Sequence, residues 1–168
     1  MVTLTEYIAY FENIAKNHKA IKHSNTQKHF FKIDLEELIS GLKTAIVYPA
    51  LVLEGYDFSF IDNVSDNILK QRTCAFSILL KPKNTGDFKE IYSLYDIAEG
   101  IVNDIINLMW DHKRQRGHTI VADFDLNSIE VLPISGIVEN AVGYRVSFNM
   151  ETGHDPEVTE NNWITTDF

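Results

Sequence analysis

The stretch between Asp87 and Gly117 constrains the fold more than any other part of the chain. Asp87 and Glu90 stand at capping-box spacing, so side chains can satisfy the free amide groups of a helix start. Gly117 is placed to end that helix. Between them Phe88, Ile91, Tyr95, Ala98, Val102, Ile105, Met109 and His112 recur three or four residues apart. Leu94, Ile97, Ile101 and Leu108 form a second row beside the first. An apolar stripe this wide predicts a helix laid across a sheet, with Asp96, Glu99, Asn103, Asn107 and Asp111 on its wet side. Unbroken to Gln115, the helix spans about 40 Å at ~1.5 Å per residue. Gly100 costs about 1 kcal/mol relative to alanine in a helix interior. That predicts a strand passing close at this point, or else a break.

The flanking segments supply the partners. Thr3 and Glu6 form another capping box, and Leu4, Ile8, Phe11 and Ile14 follow at helical intervals, which predicts a first helix over about residues 4–17. Asn17 to Gln27 is polar and basic and reads as a loop, and His29–Ile33 as a short extended piece. Asp34 heads a short helix carrying Leu35, Leu38, Ile39 and Leu42. Ala45–Leu53 is a nearly apolar strand whose Pro49 points to a sheet edge or a bulge. Tyr56, Phe58 and Phe60 alternate with polar residues, as do Cys74, Phe76, Ile78 and Leu80 with smaller ones. These two runs predict a half-buried antiparallel hairpin with a long loop. In the last third, Ile120, Ala122, Phe124 and Leu126 alternate, and a change of phase at Asn127–Ser128 predicts a bulge. Ser135–Gly136 and Asn140 mark a turn, and Tyr144, Val146, Phe148 and Met150 form the cleanest strand pattern. Gly153–Pro156 stops it.

The expectation is an α+β domain: a twisted, mainly antiparallel four-stranded sheet, a long helix across one face, and an N-terminal helix beside it. Residues 1–152 make that single domain and 153–168 an extended, acidic C-terminal arm. A chain of 168 residues, 45% hydrophobic, has the means to bury one such core. No cationic, apolar leader and no run of ~18 apolar residues is present, which predicts a soluble intracellular protein without a membrane partner.

Charge is unevenly spread. Residues 1–50 carry six basic against five acidic groups, whereas residues 118–168 set Arg145 alone against nine acids. The acidic third argues against wrapping nucleic acid through phosphate contacts. It also supplies unlike surfaces at the two ends of the chain.

Few residues carry chemistry. The glycines form no phosphate-cradling loop, and no serine has the glycine spacing of a nucleophile elbow. Cys74 cannot form an internal disulfide and reads as a small buried hydrophobe. His18, His23 and His29 are spaced as loop residues rather than as metal ligands. Asp123 and Asp125 fall on one polar strand face, as a solvated face would have them. No catalytic, metal or cofactor-binding set emerges, and the chain reads as a non-enzyme with no cofactor. Lys113, Arg114 and Arg116 complement the dipole at the long helix's end, or dock an acidic surface. Trp163 and Phe168, isolated in a polar tail, either return to the core or anchor in a partner.

The order of elements resembles a known family. A capped helix from Thr3 precedes the Pro-containing strand Tyr48-Pro49-Ala50-Leu51-Val52-Leu53-Glu54. The Cys74–Leu80 strand, the Leu94–Trp110 helix and the closing Gly143-Tyr144-Arg145-Val146-Ser147-Phe148 strand follow. This layout resembles the tail-terminator (tail-completion) proteins of tailed phages and of contractile injection particles. The resemblance implies a ring-forming structural subunit, a hexamer, that caps the tail tube and joins it to the neck. It implies tube, neck or sheath proteins as partners, assembly in the host cytoplasm, and a final place in the particle. DNA passing through such a ring would meet an acidic lining, for which Asp123, Asp125 and Glu130 are the candidates. Lys113, Arg114, Arg116, Trp163 and Phe168 are the candidate interface residues. The His18–Asp34 stretch and the long tail depart from the compact family pattern. Alternatives are another neck or head–tail connector component, or a monomeric acidic binding protein of the immunity type.

Overall fold

The computed structural model describes residues 2–32, 46–62, 68–115, 119–136 and 140–155. The elements are α1 (Leu4–Asn17), β1 (Phe30–Lys32), β2 (Ala50–Leu53), β3 (Asp57–Asp62), β4 (Ile68–Leu80), α2 (Phe88–Arg114), β5 (Phe124–Ser135) and β6 (Val142–His154). They form an α+β domain whose six-stranded sheet runs β1-β2-β4-β6-β5, with β3 also paired to β4. All strand pairs are antiparallel except β1 with β2.

Both helices start as the residues dictate. Thr3 Oγ1 accepts from the Glu6 amide at 3.2 Å while the Glu6 carboxylate accepts from the Thr3 amide at 2.8 Å. Asp87 Oδ1 accepts from the amides of Lys89 and Glu90. The α1 residues Tyr7, Phe11, Ile14 and Ala15 are buried on one face. Phe11 sits among the rings of Tyr7 (5.2 Å between centroids), Phe76 (5.4 Å) and Phe148 (6.3 Å), so helix and sheet share one aromatic core. The long helix lies on the same face and buries Ala98, Ile101, Val102, Ile105 and Met109. A second, smaller cluster combines Phe31, Ala50, Val52 and Leu79 of the sheet with Ala141, just before β6. The interior half of β4 is therefore buried almost continuously.

Several expectations need correction. The sheet has six strands rather than four, because the short β1 and the apolar strand β2, which begins at Ala50 and not at Ala45, join the two hairpins β3–β4 and β5–β6. Leu53 pairs with Phe76 but Asp57 with Thr73, so one extra residue in Glu54–Tyr56 offsets the two pieces along the same edge of β4. The β3 alternation does not half-bury the strand: all six of its residues are exposed. β3 pairs with Ile68–Thr73, which extends β4 beyond the helices, so among the described residues nothing covers Phe58 and Phe60 as it covers Phe76.

Gly100 lies on the exposed side of an unbroken helix, and a Cβ there would meet nothing within 4 Å. Neither the close strand nor the break is present. Phe88 belongs to the periodic stripe but is exposed at the helix start. Thr119–Val121 is a 3-10 turn, so β5 begins at Phe124 and not at Ile120.

The bulge at Asn127–Ser128 is present as a register shift between Asp125 and Glu130. Ser128 Oγ donates to the Asp125 carbonyl and accepts from the Asn149 amide, both at 2.7 Å, replacing the missing ladder bonds. Gly136 and Asn140 take positive φ at the β5–β6 connection, as the turn signals predict. β6 runs to His154, through the expected stop at Gly153. The short helix expected after Asp34 lies outside the described residues.

Candidate functional site

Two features of the surface stand out: a groove between the helices and a pair of exposed sheet edges. The groove, of about 570 Å³, runs between α1 and α2, with Ile14, Ile105 and Leu108 as apolar lining. Hydrogen bonds close it at both ends. Tyr10 Oη lies 3.0 Å from His112 Nδ1, and His18 Nε2 lies 3.3 Å from Asp104 Oδ2. Burial pushes the Tyr10 phenol well above its ordinary value, so it stays protonated beside His112. His18 Nδ1 accepts from the Ala20 amide at 3.2 Å, which places the ring proton on Nε2, toward Asp104. This arrangement braces the two helices on either side of the groove.

Other candidate chemistry is internal. Cys74 is fully buried and burial pushes its thiol up to about 12, so it behaves as the small hydrophobe its strand position implies. His29 is buried with Nδ1 2.8 Å from the Pro49 carbonyl, and His23 Nδ1 accepts from the amides of His29 and Phe30. His23 and His29 are thus structural parts of the β1 edge rather than solvated loop residues. Among the described residues, no group of three His, Cys, Asp or Glu side chains could hold a metal ion. Among the same residues no helix is long and apolar enough to cross a membrane.

The structure separates the residues singled out at the end of the long helix. Lys113 reaches across to donate to the Phe124 carbonyl at the start of β5, so its ammonium ties α2 to the sheet. Arg114 pairs with Asp111 at 2.9 Å on the exposed surface. Arg116, Trp163 and Phe168 lie outside the described residues. Asp123 precedes β5, and its carbonyl accepts from the Glu151 amide at 3.0 Å. Asp125 is in the strand and accepts from the Asn127 amide at 3.0 Å, holding the bulge. The two aspartates therefore do not share one strand face as their spacing predicts. Glu130 lies beyond the bulge, exposed on β5 opposite Ser147.

The edges carry what the sequence pattern did not show. On β3, Phe58 and Phe60 are 54% and 52% exposed, and Lys70 of β4 places its ammonium 3.8 Å from the Phe58 ring centroid. The His154 ring lies 4.7 Å from that of Phe60, tilted by 50°. On the far side of the sheet, β5 exposes Leu126, Val131 and Leu132. Between the two, Arg72 is 1% exposed. It donates to Thr152 Oγ1 at 2.7 Å and lies over the Tyr56 ring, anchoring the projecting part of β4 to β6. Arg145 makes a bidentate pair with Glu54 at 2.7 and 2.8 Å, holding β6 to the β2–β3 junction across β4. Neither arginine is legible as structural from its neighbours in sequence.

No family model matches the chain, and no curated protein sequence is similar to it.

Proposed function

We propose that this protein is a ring-forming structural subunit: a terminator that caps a phage or injection-particle tail tube and joins it to the neck. The observation that carries the proposal is the distribution of exposed apolar side chains. Phe58, Phe60 and Ile61 lie on β3 along one edge of the sheet, and Leu126, Val131 and Leu132 on β5 along the opposite edge. Among the described residues nothing covers these two unlike apolar strands, which a monomer has little reason to leave bare. A head-to-tail ring uses one such surface to cover the other, and closes if the rotation per subunit divides a full turn. In this reading the acidic last third faces the lumen or the neighbouring subunit, and any DNA passes without specific contacts.

The test is deletion of the gene in its particle-producing host, with tail-tube lengths measured by electron microscopy. Overlong or headless tubes are expected. Normal, complete particles would overturn the proposal and leave a monomeric acidic binding protein as the reading.

A further inference from the structure

The three-stranded projection formed by β3, the first half of β4 and the end of β6 has two different faces. Cross-strand pairing sets Phe58 opposite Arg72, Phe60 opposite Lys70, Lys70 opposite Thr152 and Ile68 opposite His154. These residues therefore share one face, with Arg72 buried at its root and Phe58, Phe60, Lys70 and His154 further out. It is the same face that the helices cover further along β4, where Cys74, Phe76 and Ile78 are buried. Aromatic rings interleaved with a lysine and a histidine are what a partner surface combining apolar and acidic groups would fit.

The opposite edge of the same chain offers such a surface. Leu132 of β5 is 46% exposed and lies on the same face as Glu130, two residues earlier, with Leu126 and Val131 also exposed along the strand. Asp125 and Asp123 extend the acidic character toward the start of β5.

We infer that the Phe58–Phe60–Lys70–His154 face of one subunit docks on the Glu130–Leu132 face of β5 in the next copy. Lys70 leaves its ring contact to meet Glu130, and the phenylalanines cover Leu132. The contact joins unlike patches from opposite sides of the sheet, so each subunit offers one and accepts one, which is the requirement for a ring. The inference rests on the ring reading above and assigns the residues that make its interface.

Sedimentation velocity on the full chain over a range of concentrations tests both. The wild-type protein is expected to assemble, and Lys70→Glu to raise the concentration for half-assembly by about tenfold or more, because it places like charges together. Combining Lys70→Glu with Glu130→Lys in one chain restores the opposite-charge pair and is expected to restore assembly. Phe58→Ser with Phe60→Ser is expected to abolish assembly while circular dichroism shows the monomer folded, since both side chains are exposed. If the wild-type protein stays monomeric at every concentration, the ring reading falls and this interface with it. If the wild type assembles and the Lys70 and phenylalanine variants assemble equally well, the ring stands and this interface is wrong. If Lys70→Glu dissociates but Glu130→Lys brings no recovery, the assignment to β5 is overturned.

Discussion

Replacing Gly143 by alanine should damage the domain far more than its place near a turn would indicate. Gly143 faces Leu79 in the β4–β6 ladder, with φ at +159°. A Cβ built there would lie 1.8 Å from the Ile78 carbonyl oxygen, 2.9 Å from its carbon and 3.3 Å from Leu79 Cα. Each of these is main chain, so no rotamer change relieves the contact. Ordinary separation begins near 3.4 Å, so the two strands would have to part by about 1.6 Å, the difference between 3.4 and 1.8 Å. A parting of that size takes the neighbouring N–H···O bonds beyond useful length. Two buried ladder bonds lost, at ~1–3 kcal/mol each for groups left unsatisfied, give an expected loss of about 2–6 kcal/mol. In urea unfolding followed by circular dichroism, with a slope of ~1–3 kcal/mol/M, the midpoint should fall by roughly 2 M. Gly153→Ala is the control: it lies in the same strand, a Cβ there meets nothing within 4 Å, and the expected change is within ~0.5 kcal/mol. A Gly143→Ala protein that loses less than about 1 kcal/mol would refute the reasoning.

Other outcomes follow from the same contacts. Cys74, buried and with its thiol raised to about 12, should not react with a thiol reagent at pH 8 until the protein unfolds, so labelling should track global unfolding under denaturant. His23 is held neutral: burial lowers its value below 6.5, with Lys16 and His29 adding and Glu12 opposing, and its Nδ1 accepts two amides. The unfolded chain therefore binds the proton more readily. Stability should be full above pH 6.5 and fall as pH drops from there toward the lowered native value, and His23→Asn, which keeps an acceptor but cannot titrate, should flatten that part of the pH–stability curve. Arg145→Met strands the Glu54 carboxylate, whose side chain is 15% exposed, and should cost ~1–2 kcal/mol by urea unfolding. Glu54→Gln with Arg145→Met together should cost less than the two changes added, as a double-mutant cycle would show.

The helices were legible in the sequence because their determinants are local. Thr3 with Glu6 and Asp87 with Glu90 satisfy amide groups within one turn, and the 3.6-residue spacing of Phe11, Ile14, Ala98, Val102, Ile105 and Met109 needs no knowledge of the partner surface. The bulge after Asp125 and the turn at Gly136–Asn140 were legible for the same reason, since both depend on neighbours in the chain.

The candidate site was not. Phe58 and Phe60 alternate just as Phe76 and Ile78 do, yet one pair is exposed and the other buried. Periodicity reports which residues share a face but not whether anything covers it. That was decided by where α1 and α2 come to lie, which leaves the β3 projection bare. The groove likewise joins Tyr10 to His112 and His18 to Asp104 across 102 and 86 residues of chain, distances at which sequence spacing carries no information. Gly100 and Gly143 make the contrast sharpest. The sequence marked Gly100 as the place where backbone comes close, but the backbones meet at Gly143, because only the β4–β6 register decides which glycine faces a neighbouring carbonyl. Composition, capping and periodicity determined which elements form and which faces are apolar. Long-range pairing decided which of those faces found cover among the described residues.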